Sequence, residues 1–213
     1  LMYELLAYFL FEDSNYVIRN SADIIFRDFF EIITSNTFIS YNGFLLFLIF
    51  LFIFYSFKKK SLEFSLNYIS FMFLEGILFG IILVFLLNGF NVFNYSNQNY
   101  FIIDYSFMFY SCLGAGIWEE ILFRCLLLSA LINIFKRVLD KYPSLILSIF
   151  ISSLIFSLFH YIGSLGDVFN LYTFIVRLIG GIYLSIVYLY RGLGISMISH
   201  IIYDFILVTI PVL

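Results

Sequence analysis

Long apolar runs broken by short polar or basic groups set the pattern of this chain. Spans are expected at residues 42–57, 66–87, 101–135, 144–162, 171–190 and 193–210, six in all. A helix of about 20 apolar residues crosses the ~30 Å hydrocarbon core of a bilayer, so each run is a candidate transmembrane helix. The polar breaks alternate in charge. Lys58-Lys59-Lys60, then Lys136, Arg137 and Lys141, then Arg191 mark cytoplasmic ends. Asn88–Gln98, which carries no Lys or Arg, and Gly163–Asn170 fall on the outer side. Residues 101–135 are too long for one straight span, and Gly114 and Gly116 permit a kink or break there. Pro143 is expected to start the helix that follows, at a favoured N-terminal position.

Residues 1–41 are more polar. Leu5–Phe11 is too short to span. From Ser21 to Thr34, Ile24, Ile25, Phe29, Ile32 and Ile33 recur at helical spacing, with Asp23, Arg27 and Glu31 at i, i+4 intervals on another face. This predicts an amphipathic helix lying in the membrane interface and beginning at Ser21 or Asp23. The expected fold is all-α: a polytopic membrane bundle of about six transmembrane helices plus an N-terminal amphipathic helix. Residues 1–41 form the interfacial segment and 42–213 the membrane domain.

Composition agrees. Of the residues, 63% are hydrophobic and 12% charged, against about 25% charged in soluble domains, and the mean hydropathy is +1.04. An integral, multi-pass protein of a bacterial cell membrane is expected, with the lipid bilayer as its surroundings. The net charge of −3 is small and no basic stripe runs along the chain, so a nucleic-acid partner is not expected. No basic region precedes the first apolar run, so no secretory signal is expected. The chain begins at Leu1, as a fragment of a longer protein would. Cys112 and Cys125 are the two cysteines; on one helix they lie ~20 Å apart and cannot bond to each other.

Against this apolar background the ionisable residues stand out. A charge at the centre of a bilayer costs at least ~2.5–3.5 kcal/mol, so such residues are usually paired and functional. The densest group is Trp118-Glu119-Glu120-Ile121-Leu122-Phe123-Arg124. On a helix Glu120 and Arg124 are four apart and share a face, while Glu119 is turned about 100° away. Arg124 therefore neutralises Glu120 and leaves Glu119 without a cation, free to serve as a base. Both histidines of the chain, His160 and His200, fall inside expected spans, and Asp204 is four residues past His200. Lys136 is seventeen positions after Glu119 and His160 seventeen after Pro143, which places Glu119 and His160 level in antiparallel neighbours. His200 fits less well, being only nine positions past Arg191. Glu75 and Arg177 are buried charges outside this group, expected to pair with each other or with its members.

Two carboxylates, two imidazoles and a guanidinium suit peptide hydrolysis without a protein nucleophile. A Glu base activates water, one His orients it or protonates the leaving amine, and a second His stabilises an oxyanion. Glu119, His160 and His200 are also candidate ligands for a divalent metal, since His2Glu sites hold zinc. Other intramembrane chemistries lack their signatures. There is no His-Glu-x-x-His. Gly194-Ile195-Ser196-Met197 lacks the last glycine of a serine motif. Tyr203-Asp204 and Ser164-Leu165-Gly166-Asp167 stand in the wrong order for an aspartyl dyad.

Three motifs carry a resemblance: Glu119-Glu120-Ile121-Leu122-Phe123-Arg124, Phe156-Ser157-Leu158-Phe159-His160 and His200-Ile201-Ile202-Tyr203-Asp204. In order, interval and placement on three helices they resemble the CPBP (Abi) intramembrane proteases, relatives of the type II CAAX prenyl endopeptidases. The resemblance covers residues 104–210. It implies a peptide or membrane-protein substrate, Glu119 as base, His160 as its partner on the water and His200 with Asp204 as oxyanion stabilisers. Glu120 and Arg124 are implied as support. Cys125, where the family usually has Gly, and Arg177, at a usually apolar position, depart from its pattern.

The expected function is thus an intramembrane endopeptidase, glutamate-type or metal-dependent, acting near the membrane surface. The alternatives are a non-catalytic scaffold or bacteriocin-immunity-type protein on the same fold, and a small proton-carrying transporter. A transporter would more often show repeated halves, and none are visible.

Overall fold

The computed structural model describes residues 2–12, 17–33, 37–58, 66–88, 105–163 and 166–209, and all of its regular structure is helical. The helices are α1 (Met2–Leu10), α2 (Ser21–Ile33), α3 (Thr37–Lys58), α4 (Leu66–Asn88) and α5 (Tyr105–Gly114). A π-helical segment, Ala115–Leu128, follows, and then α6 (Ser129–Phe135), α7 (Lys141–Phe159), α8 (Leu171–Arg191) and α9 (Leu193–Thr209). Among the described residues three helices are long and apolar enough to cross a membrane: Asn67–Leu87, Lys141–Phe159 and Leu171–Arg191. Leu193–Thr209 is a shorter apolar helix. Large apolar side chains such as Phe71, Phe85 and Ile146 point outward, as lipid-facing positions of a membrane bundle do. Lys59, Lys60 and the loop expected beyond Asn88 lie outside the described residues.

The break expected at Gly114 and Gly116 is absent. Tyr105–Phe135 runs on without interruption, with helical dihedrals at Gly114, Leu128 and Ser129. The irregularity takes the form of a π turn, a feature common at functional sites, and Glu119, Glu120 and Arg124 all lie on it. Gly116 has a packing role instead. A Cβ there would lie 2.3 Å from Ile201 Cγ1 and 3.0 Å from the Met197 carbonyl. The missing side chain lets α9 approach the π segment backbone to backbone, as small residues do between membrane helices. Gly116→Ala is expected to lower stability by roughly 1–3 kcal/mol through overpacking, read as thermal unfolding in detergent.

α9 packs against α4, α5, α8 and the π segment, which makes it the inner helix of the bundle. α7 meets α8, α6 and the π segment through buried serines. Ser144 and Ser152 donate to the carbonyls of Ile132 and Phe123, and Ser157 to that of Phe174. These hydroxyls are small enough to let helices close and are satisfied by backbone acceptors. Asn170 caps α8 by accepting from the Tyr172 and Thr173 amides. Pro143 lies in the first turn of α7 and not at its start, which is Lys141.

The N-terminal segment packs on the same core. Tyr3 stacks on Tyr110 at 4.6 Å, and Tyr3, Phe26 and Tyr41 surround Trp118. α2 begins at Ser21 as expected, but Asp23 and Arg27 of its polar face turn inward while Glu31 stays exposed. Asp23 is fully buried, paired with Arg27 at 3.0 Å and with Arg19 at 3.3 Å, and it accepts from the Tyr41 hydroxyl at 2.5 Å. Glu4 closes the network on both arginines, at 2.8 and 2.7 Å. Burial alone would lower the Arg19 pKa, yet Glu4 and Asp23 outweigh it and hold the guanidinium above its ordinary value. Phe29, Ile32 and Ile33 face outward.

Candidate active site

The π segment aims its two adjacent carboxylates at different neighbours. Glu120 is fully buried and faces α9. One oxygen lies 2.8 Å from His200 Nδ1 and 2.9 Å from Arg124 Nη1; the other accepts from the Ser196 hydroxyl. The Glu120–Arg124 pair expected from the spacing is present. It is a close charge contact, not an aligned hydrogen bond, because none of the three Arg124 nitrogens has a hydrogen-bond partner among the described residues. The guanidinium also lies over the Phe156 ring, 4.3 Å from its centroid, a cation–π contact that gains from burial.

Glu119 turns instead toward α7 and the N-terminal segment. Its Oε1 accepts from Asn20 Nδ2 at 2.9 Å. Its Oε2 is buried without a hydrogen-bond partner among the described residues. That oxygen lies 3.9 Å from His160 Nε2 and 4.0 Å from His200 Nε2. The level placement expected for Glu119 and His160 is observed, and His200 reaches the same depth.

The tautomers follow from the partners. His160 is the residue that ends α7, and its Nδ1 lies 2.9 Å from the Phe156 carbonyl. A carbonyl only accepts, so Nδ1 carries the hydrogen and Nε2 faces Glu119 with a lone pair when the ring is neutral. The helix end, whose last carbonyls lack intrahelical donors, thus fixes the ring. His200 Nδ1 likewise donates to Glu120, which turns Nε2 toward Glu119 and toward Asp204 Oδ2, 3.5 Å away.

A cavity of about 190 Å³ opens beside these groups, lined by Ser21, Glu119, Phe159, His160, Ile162, Gly166 and Asp167. It gives a small polar group access to the Glu119–His160 edge.

Glu75 and Arg177 correct an expectation. They pair neither with each other nor with the central group. Glu75 accepts from Arg191 Nη2 at 2.6 Å, and Arg177 pairs with Asp167 and lies over the Tyr161 ring. Glu75 and Arg177 are both half-buried, and each is neutralised by a residue at the end of a span: Arg191, which marks a cytoplasmic end, and Asp167, in the expected outer loop. Cys112 and Cys125 are both free thiols.

Glu119, His160 and His200 supply the donor types of a His2Glu zinc site. Ligands ~2.0–2.2 Å from a tetrahedral ion stand roughly 3.3–3.6 Å apart, and the separations here are wider. Among the described residues no group of three His, Cys, Asp or Glu is arranged to hold a metal ion. The donor chemistry fits and the spacing does not.

Two residues of the site escaped the sequence reading. Ser196 had a visible signal, standing four before His200 on the stripe that continues to Asp204. Asn20 had none beyond its place before an amphipathic helix; its contact with Glu119 is purely tertiary.

A bundle of apolar helices with carboxylates and imidazoles gathered in its interior defines an α-helical membrane protein built around a buried polar site. Residues 101–206, which include all three motifs, match the family model described as Type II CAAX prenyl endopeptidase Rce1-like. The chain belongs to this CAAX-protease-like family of membrane proteases. No curated protein and no solved structure matches it.

Proposed function

We propose that the protein is an intramembrane peptidase in which Glu119 activates a water molecule for attack on a peptide bond. The observation that carries this reading is the Glu119 Oε2 atom, buried and without a hydrogen-bond partner among the described residues, about 4 Å from two imidazole nitrogens on two other helices. A water among these three atoms donates one hydrogen to Glu119 Oε2 and the other to His160 Nε2. Glu119 takes the first proton as the water oxygen bonds to the carbonyl carbon. The carbonyl oxygen becomes an oxyanion beside His200, whose Nε2–H, in the imidazolium form, donates to it. Glu119 then passes its proton to the amide nitrogen as the C–N bond breaks, leaving a carboxylic acid and an amine.

Asp204, as a carboxylate, acts in this scheme through the His200 imidazolium and not by direct donation. Glu120 holds the His200 ring and Arg124 balances Glu120. The substrate is a peptide or membrane-protein segment presented from the bilayer, as membership of a membrane protease family implies.

Metal use separates two forms of the proposal. A divalent ion at Glu119, His160 and His200 would polarise the water, whereas the observed spacing favours the carboxylate alone. Peptide cleavage by the purified protein is therefore expected to persist after exhaustive chelation in metal-free buffer. Loss of cleavage that zinc restores would make the site metal-dependent. Cleavage absent under every condition would favour the scaffold reading.

A further inference from the structure

The matched family segment starts at residue 101, yet among the described residues the base receives its one hydrogen bond from Asn20, far outside it. We propose that Asn20 is a positioning residue for Glu119, so that the N-terminal segment completes the active site. The inference rests on Glu119 being the base.

Asn20 is held at three points. Its side-chain Oδ1 accepts from the Ala22 amide at 2.9 Å, which caps α2. Its own amide donates to the Tyr3 hydroxyl at 3.2 Å. Its Nδ2 donates to Glu119 Oε1. These partners also fix the orientation of the side-chain amide, since a backbone N–H needs an acceptor and a carboxylate needs a donor. The segment can lie so close because residue 114 is glycine. A Cβ there would stand 2.8 Å from the Tyr3 ring and 3.2 Å from Asn20 Cβ. The neighbouring Arg19 is clamped between Glu4 and Asp23, which anchors the strand of chain that carries Asn20.

The consequence for Glu119 is specific. With Oε1 engaged by Asn20, the carboxylate cannot rotate freely, and Oε2 is the oxygen left facing His160 and His200. Ser21, the next residue, lines the cavity at the same point. The N-terminal segment thus fixes the base and forms part of the entrance.

Asn20→Asp separates this role from a structural one, because it keeps the acceptor that caps α2 and replaces the donor with a second carboxylate. For this variant kcat per folded molecule is expected to fall roughly 10- to 100-fold, as loss of a hydrogen bond to a charged group implies, with KM changed less than about threefold, since Asn20 acts on the base and not on the peptide. A role as helix cap alone would leave kcat at the parent value, and that result would overturn the proposal.

A stability cycle tests the contact without any activity. Asn20→Asp alone is expected to lower Tm in detergent by roughly 3–6 °C, because two carboxylates then face each other. Adding Glu119→Gln rebuilds the bond with donor and acceptor exchanged and restores Tm. Additive Tm shifts in the double variant would show that the two side chains do not meet, and would overturn the proposal. Should the unmodified protein cleave nothing, the peptidase reading fails and the positioning role falls with it, while a restored Tm would identify the pair as a structural tie.

Discussion

Glu119→Gln is expected to slow peptide cleavage roughly 10²–10⁴-fold while the protein remains folded, because a positioned base contributes about that much. The substitution is close to isosteric. The amide oxygen of the new side chain still accepts from Asn20 Nδ2, so the N-terminal segment keeps its anchor. What changes is the atom at the Oε2 position, which has no hydrogen-bond partner among the described residues. An amide nitrogen there cannot take a proton and would donate toward the water that His160 and His200 hold. Tm in detergent, compared with the rate per folded molecule, separates this outcome from unfolding. A variant that keeps its rate would remove Glu119 from the reaction.

Glu120→Gln is expected to act mainly on stability. Glu120 and Arg124 are both within 1% of full burial and 2.9 Å apart. Removing one charge of a buried pair leaves the other uncompensated, at a cost of about 3–5 kcal/mol. For a chain of this length that lowers Tm by roughly 6–20 °C. His200 keeps an acceptor for its Nδ1–H, so activity per folded molecule falls less than in Glu119→Gln. A Glu120→Gln protein that is stable but inactive would mean that the two carboxylates have been assigned the wrong way round.

The division between these neighbours was legible in the sequence because it depends only on helical spacing. Four residues separate Glu120 from Arg124 whether the turn is α or π, and they remain in contact on the π segment. The three motifs were legible for the same reason, each being a short interval within one helix. Depth was legible for His160, since a short basic loop links its helix to that of Glu119. For His200 the interval is counted from Arg191, read as a marker of the aqueous surface. Arg191 is half exposed and ion-paired to Glu75, and α9 starts immediately after Gly192, whose φ of 87° turns the chain in a single residue. His200 lies beside Glu119 despite the short interval.

Partners brought together by folding were not legible. The period of residues 21–33 showed two faces but not which face meets the protein. Asp23 and Arg27 are drawn inward because Glu4, Arg19 and Tyr41 wait there, and nothing local to α2 reports them. The glycines near the Glu-Glu pair read as a flexible break, whereas Gly114 and Gly116 are gaps into which Tyr3 and Ile201 fit. Both misreadings share one cause: periodicity describes an element alone, and the role of a small or charged residue is set by what packs on it.

Whether Glu119 drives water onto a peptide bond inside this bundle is decided by a cleavage assay. The purified protein, reconstituted in lipid, is incubated with a peptide library beside its Glu119→Gln variant, and new termini are read by mass spectrometry. Defined cleavage by the unmodified protein is expected, and at least ~10²-fold less by the variant at equal Tm. Equal cleavage by both, or cleavage by neither, would contradict this role of Glu119.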